Sequence, residues 1–544
     1  MIWIISIKSS IDAFGRFNLA RSIFLVFCLA LMLLVSQPAL AADAVVGTGT
    51  PASCSEDAFD YALDVIKASG EGGTLTFNCG GATSIVFTAT KIIADDVTID
   101  GNGMITLSGG NAIRHFTVDV GGSLNLQNIT LANGYSDTDD GGAIFNGGSL
   151  SLDHTTIRDS NTISSFSGGA IVSYGPLTIT NSRFENNGGG NGGALYLRWE
   201  EGDATITGST FYHNFTTNVD SGWGGAILLW DGADVQIFSS DFDGNTARYG
   251  GALHNQFGNS YLELFQGTLV RNNQAQFHGG GIYNAGGAIT HLTEVTLSNN
   301  RATDFGGGVY NSGGIVTHTD TFLYGNIASA GVGGGVYSEN GSATFFFSTL
   351  QYNAAMFGGG IYNSNGNTTL VNTTLSSNNS NSGGGIYNDS NATTELIFVT
   401  LSGNVAYGEG GGIYNAENAT SLELKDTIVA DSEGGDCFGK PASNALFSLW
   451  SDDSCTYTSG AGNKANTSPQ LGPLADNGGF TLTHMPAVAS PAIDAGQCNI
   501  VSTVDVSQDQ RKVSRPQGLT CDIGAVERQS NAGYALVFLP MVSR

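Results

Sequence analysis

The sequence predicts an all-β chain folded as a right-handed parallel β-helix, and three observations carry that prediction. A glycine-rich motif recurs through the middle of the chain. A second motif, an apolar residue followed three positions later by Asn, precedes most of its copies from the third on. Short alternating apolar and polar segments fill the space between the two, which is the pattern of strands separated by turns.

The glycine motif reads as two glycines, then Ala or Gly, then an aliphatic residue, often followed by Tyr and Asn. Its aliphatic position runs in eleven copies from Ile144 through Ile282 to Ile413, at a mean spacing of about 27 residues, the size of a solenoid coil. Glycine permits positive φ and lets backbones approach at a corner where a Cβ would strike the next coil. The second motif is seen at Phe184 to Asn187, Leu297 to Asn300 and Leu401 to Asn404. Asn tolerates the left-handed conformation, and Asn amides in register from coil to coil form a hydrogen-bonded ladder. Strand candidates between the motifs include Leu150-Ser151-Leu152 and Val235-Gln236-Ile237. With a coil rise of about 4.8 Å, eleven coils make a rod on the order of 50 Å long, and weaker coils from Thr74 to Leu131 lengthen it.

Segments outside the repeats divide the chain further. Residues 1–41 read as an export signal, with Lys8, Arg16 and Arg21 ahead of the apolar run Ile23 to Val35 and a small-residue site at Ala39-Leu40-Ala41. Residues 42–140 form an N-terminal cap and the first coils, 141–430 the repeats, 431–528 a C-terminal domain and 529–544 a tail. Ser53-x-x-Glu56 reads as a capping box opening a helix over Ser55 to Ala68, whose stripe Phe59, Leu63 and Ile66 lies as a lid on the first coil. Six cysteines follow the signal, in three sequence-local pairs: Cys54 with Cys79, Cys437 with Cys455 and Cys498 with Cys521. In an exported chain that spacing predicts disulfides rather than zinc, since no C-x-x-C knuckle is present.

The formal net charge is −27, with the acidic residues spread singly. Nucleic acid is excluded as a partner, because no stripe of Lys and Arg is available to neutralise phosphates. A cationic partner, metal ions or neutral glycans remain compatible with this balance.

Candidate chemistry is sparse. Lyase action on acidic polysaccharide needs a base poised beside an acidic calcium cluster, and the arginines of the repeats occur singly. Glycoside hydrolysis needs two carboxyl groups facing across a cleft. The best candidates are Glu200, Glu201, Asp220 and Asp231, set among Trp199, Trp223 and Trp230 in and just after the widest repeat. His254, His278, His291 and His318 occupy different motif positions, so no metal site is expected, and no cofactor. A tyrosine column is the most regular feature: Tyr283, Tyr310, Tyr337, Tyr362, Tyr387 and Tyr414 fill one motif position in six successive coils. Strand alternation turns these tyrosines outward, opposite the aliphatic residue before them, as an aromatic strip on the order of 25 Å long. Such a strip offers a binding face to an extended glycan or a partner protein.

The paired motifs G-G-[AG]-[ILV] and F-x-x-N over residues 141–430 resemble the repeats of chlamydial polymorphic outer-membrane proteins and related β-helix surface proteins, which share a pectin-lyase-like architecture. The C-terminal segments Leu471 to Gly479, Ser490-Pro491-Ala492-Ile493-Asp494-Ala495-Gly496, Asp509-Gln510-Arg511 and Cys521 to Glu527 resemble the choice-of-anchor Q domain of exported β-helix proteins. Lys512 stands where that pattern has Gly, which implies a changed local turn. The two resemblances imply a cell-surface destination and envelope association through the C-terminus. The expectation is therefore a secreted, non-catalytic surface rod that contacts an extracellular glycan or cell-surface protein. The alternative is a polysaccharide lyase or glycoside hydrolase on the same scaffold, a reading that would rest on fold analogy.

Overall fold

In the computed structural model, residues 41–198, 203–499 and 504–529 are described. The chain winds as a right-handed parallel β-solenoid of about 15 turns. Its walls are three parallel sheets. The motif sheet has 14 strands from Lys91–Ile93 to Cys437–Gly439, the long sheet 30 strands in two columns, and the short sheet 11 strands from Tyr135–Ser136 to Val405–Glu409. One coil shows the plan: Ile282–Ala285 lies in the motif sheet, Ile289–Thr293 and Thr296–Ser298 in the long sheet, and Arg301–Ala302 in the short sheet.

Inward positions stack like on like. Ile282, Leu292 and Leu297 are fully buried, each contributing about 2 kcal/mol by leaving water. Phe184, Phe211 and Phe242 form a parallel stack with centroids 4.8 and 4.7 Å apart. His318 occupies an inward position, parallel to Phe345 at 4.4 Å. Burial pushes its pKa down to about 3, so the ring is neutral.

The Asn motif builds the expected ladder. Asn187, Asn214, Asn245, Asn273, Asn300, Asn326, Asn353 and Asn378 each pass a side-chain hydrogen bond to the next, ending at Asn404, as where Asn300 Nδ2 donates to Asn326 Oδ1 at 3.0 Å. The left-handed residue is not the rung but its predecessor: Asn299 has φ 55° while Asn300 is the rung. Two tasks assigned to one Asn are thus split between neighbours, one bending the chain and one stacking. A ladder of hydroxyls marks the preceding corner, with Thr155 N donating to Ser182 Oγ at 3.0 Å and Ser182 N to Ser209 Oγ at 3.1 Å. The motif glycines divide similarly. Gly306 has φ +62°, and a Cβ on Gly307 would lie 2.4 Å from Ile327 N.

The N-terminal lid is helix α1 (Glu56–Ser69), burying Phe59, Ala62, Leu63 and Ile66. Its N-cap is Ser55, which accepts from Ala58 N, so the expected Ser53/Glu56 capping box is corrected. Ser53 closes a preceding 3-10 turn, and the Glu56 carboxylate reaches Lys91 at 2.7 Å and Thr88. The hydrogen bonds from Lys91 and Thr88 hold Glu56 down to about 2 against its burial. All three predicted disulfides are formed.

At the other end the coils continue past Ala430. Cys437–Gly439 extends the motif sheet and Asn444–Leu446, Leu449–Trp450 and Gly460–Ala461 the long sheet. The chain then doubles back along the outer flank of the long sheet. Gln510 is its buried anchor: Thr374 Oγ1 donates to its Oε1 at 2.6 Å, and its Nε2 donates to Ser348 O, Thr349 Oγ1 and Thr481 Oγ1. Beside it Arg515 pairs with Glu527 at 2.9 Å, both buried. The disulfide-bearing C-terminal region therefore clasps a side of the rod. Lys512 adopts φ 70°, the left-handed turn for which glycine is the easier residue.

Candidate functional site

The outward face of the motif sheet carries one side chain per coil in strict register: Tyr196, Leu228, His254, Tyr283, Tyr310, Tyr337, Tyr362, Tyr387, Tyr414 and Phe438 are successive partners. The alternation read from the sequence is correct, and all six predicted tyrosines lie in this column. Their exposure is not as expected. On one side runs a second column, Trp223, Tyr249, His278, Phe305, Val332 and Phe357, contributed by the chain just before or at the edge of the motif. On the other runs the column Trp230, Gln256, Ala285, Ser312, Glu339 and Ser364. Between these walls Tyr310 and Tyr337 are only 5% and 6% exposed. The expected exposed strip is instead a floor set between two rows of side chains, with Tyr283, Tyr362, Tyr387 and Tyr414 half-buried.

Ring geometry changes the reading further. Tyr362, Tyr387 and Tyr414 stack nearly parallel, with centroids 4.8 and 4.5 Å apart and planes within 11°. Stacking consumes ring faces and leaves edges and hydroxyls to meet a ligand. Those hydroxyls are engaged as well. Tyr310 donates to Glu339 Oε2 at 2.6 Å and Tyr362 to Asp389 Oδ2 at 2.7 Å. Burial, then the acceptor carboxylate, raises both phenols, and burial holds Tyr283 at about 12. All stay protonated at physiological pH.

The tyrosine column meets the tryptophan coil in an open groove of about 410 Å³, lined by Asp220, Ser221, Trp223, Tyr249, Gln256, His278, Tyr283 and Tyr310. Trp223 stacks on Trp230 at 5.1 Å, and Trp230 meets Phe257 edge-on at 4.9 Å. Leu228, Val172 and Tyr196 form the apolar base beneath the tryptophans. Below Gln256, fully buried His254 contacts the amide oxygen at 2.5 Å. Burial lowers the His254 pKa to about 3, so a neutral ring braces the amide that faces the groove. The sequence singled out Trp223, Trp230, Asp220, Tyr283 and Tyr310, and the fold brings Asp220, Trp223, Tyr283 and Tyr310 into one lining with Trp230 against it. Tyr249, Gln256 and Phe257 were missed. The signal for Phe257 was present in the sequence: it stands at the corner that Asp231, Gly286, Gly313, Asn340 and Asn365 fill in other coils, and the structure gives it φ 66°.

Of the candidate acids, Asp220 lines this groove, while Asp231 sits at a left-handed corner and is not part of the lining. Trp199, Glu200 and Glu201 lie outside the described residues, as do the export segment apart from Ala41 and the tail beyond Gln529. Among the described residues no group of three His, Cys, Asp or Glu side chains is arranged to hold a metal.

Fold and groove together define a repeat-built parallel β-solenoid that offers an aromatic groove on one outward face. The chain carries Chlamydia polymorphic membrane protein repeats, the family model matching residues 294–312 and 398–416. Each matched stretch contains a ladder asparagine, Asn300 or Asn404, the glycine run and a tyrosine of the column, Tyr310 or Tyr414. Among curated proteins none matches the chain.

Proposed function

We propose that this protein is an exported, non-catalytic surface rod that binds an extracellular glycan through the groove at Trp223, Gln256 and Tyr283. The observation that carries the reading is the groove itself. Rigid aromatic rings converge there with an amide, hydroxyls and one imidazole, the combination that orients a polyhydroxylated ligand. Surface display is supported by the repeat type, whose family is associated with the outer membrane and cell surface. It is also supported by the C-terminal segments resembling the choice-of-anchor Q domain, whose Gln510 bonds to the rod's flank while Asp509 and Arg511 pair with each other beside it. The non-catalytic reading is supported by the lining, in which Asp220 is the one carboxylate among the described residues; hydrolysis needs a second carboxyl opposite the first. The test is a binding and depolymerisation screen of the purified protein against neutral and acidic polysaccharides. Binding weakened by Trp223→Ala, with no new reducing or unsaturated ends, is expected. Turnover abolished by Asp220→Asn would overturn the non-catalytic reading, and absence of any bound glycan would overturn the binding reading.

A further inference from the structure

We infer that the ligand is an uncharged polysaccharide and that it crosses the rod on a transverse aromatic ledge, Trp223, Trp230 and Phe257, instead of running along the tyrosine column. The inference rests on the glycan-binding reading above and specifies its ligand class and its contact residues.

Three independent features converge on the ledge. The first is position: Trp223 precedes the motif strand, Trp230 ends it, and Phe257 stands at the corner after the equivalent strand of the next coil. The rings therefore step across the width of the motif sheet, by 5.1 and 4.9 Å, on the scale of one sugar ring. The second is available ring surface. Phe257 is 41% exposed, and its perpendicular contact with Trp230 at 83° leaves at least one of its faces unused by that partner. Tyr387, by contrast, has a near-parallel ring on each side. The third is backbone conformation. Phe257 holds φ 66°, a region that disfavours a bulky side chain, at a corner that Gly, Asn or Asp fills in the neighbouring coils. Aromatic residues hold this conformation at other corners of the rod, Phe347, Tyr352, Phe398 and Phe447, but at this corner Phe257 replaces the Gly, Asn or Asp of the neighbouring coils, which points to a use for its ring.

Charge selects the ligand class. The groove beside the ledge holds Asp220 as its one formally charged lining residue, and Glu339 and Asp389 lie further along the same face, tied to Tyr310 and Tyr362. No Lys or Arg lines the groove among the described residues. A uronate chain would bring carboxylates against Asp220, and the nearest cations are already engaged: Arg198, in register with Trp230, is hydrogen-bonded with Tyr174 and Tyr196, and Arg248 lies over the Phe277 ring. A neutral chain needs only ring faces, hydroxyl donors and acceptors.

The test uses the full chain on immobilised neutral polysaccharides (xyloglucan, mannan, mixed-linkage glucan) and acidic ones (polygalacturonate, alginate). Compared are wild type, Phe257→Gly, Trp230→Ala and the double variant Tyr387→Ser/Tyr414→Ser. Neutral polysaccharide binding weakened about tenfold or more by Phe257→Gly, with a melting midpoint unchanged or raised because glycine is at home in that corner, is the expected result. The tyrosine pair should bind within about twofold of wild type. Binding that survives Phe257→Gly but is lost in the tyrosine pair, or acidic chains binding as well as neutral ones, would overturn the ledge and leave glycan binding standing. No glycan bound at all would overturn both.

Discussion

Replacing Asn300 with Ala should destabilise the rod far more than changing its neighbour Asn299, although the two side chains are adjacent in sequence. Asn300 is fully buried. Its Oδ1 accepts from Asn273 N at 3.1 Å and Asn273 Nδ2 at 3.0 Å, and its Nδ2 donates to Val270 O at 2.8 Å and Asn326 Oδ1 at 3.0 Å. Alanine leaves one backbone and one side-chain N–H of Asn273 without that acceptor, in a coil interior water does not reach. At about 1–3 kcal/mol for each orphaned buried donor, the loss is about 2–6 kcal/mol. Asn299 is exposed and serves its left-handed corner, so Asn299→Gly should change stability by about 0.5 kcal/mol or less. Because each coil contacts only its neighbours, the damage should be local. Hydrogen exchange should show lost protection at the Asn273 amide and unchanged protection around the Phe184–Phe242 stack, alongside a lowered urea midpoint for Asn300→Ala. If the two variants lie within about 1 kcal/mol of each other, the ladder is not the structural spine argued above.

Three further outcomes follow from the same geometry. Gln510→Ala removes the hydrogen bonds that seat the returning C-terminal segment and should weaken its docking by about 2–4 kcal/mol, read as faster limited proteolysis within residues 470–529 while the coils stay intact. Asp426 lies in that interface, where burial raises its pKa from 3.8 to about 8, opposed by the Gln497 N–H and by Arg515. A raised folded-state value means its contribution is full below about pH 4 and is lost as pH rises through about 8. The melting midpoint of wild type should therefore fall between pH 5 and 8.5 relative to that of Asp426→Asn, and equal pH profiles would remove the assignment. Gly307→Ala places a Cβ 2.4 Å from Ile327 N and 2.5 Å from Gly334 O, so it should cost about 3 kcal/mol, measurable as a lower denaturation midpoint.

Much of the candidate site could be read without coordinates, and what escaped did so for identifiable reasons. Tyr283 and Tyr310 declared themselves by recurring beside the glycine run. Trp223 and Trp230 stood out as rare residues in and just after the widest repeat. Gln256 looked like any polar strand residue, since its role comes from buried His254 beneath it, a partner only two positions away but turned the same way by the strand. Tyr249 and His278 stand directly before the motif glycines, as do Trp223, Phe305, Val332 and Phe357, so their column could have been counted; its mixed residue types hid it where the uniform tyrosine column did not.

By itself, the sequence determined the solenoid, its coil length, the inward and outward assignment of the motif strands, the asparagine ladder and the three disulfides. The disulfides follow from cysteines close together in the sequence; the rest follows from contacts between a residue and its own copy one coil away, so repetition in the chain is repetition in space. Only the tertiary structure decided how much of the tyrosine column stays exposed, where the C-terminal segment lies and which rings offer a free face. Gln510 reaches Ser348 across 162 positions, and Phe257 meets Trp230 from the next coil while Trp223 stacks on it within the same one. The C-terminal contact depends on a chain path that does not repeat, and nothing in a periodic sequence records it; the ring contacts depend on side-chain packing between columns that the repeat alone does not specify.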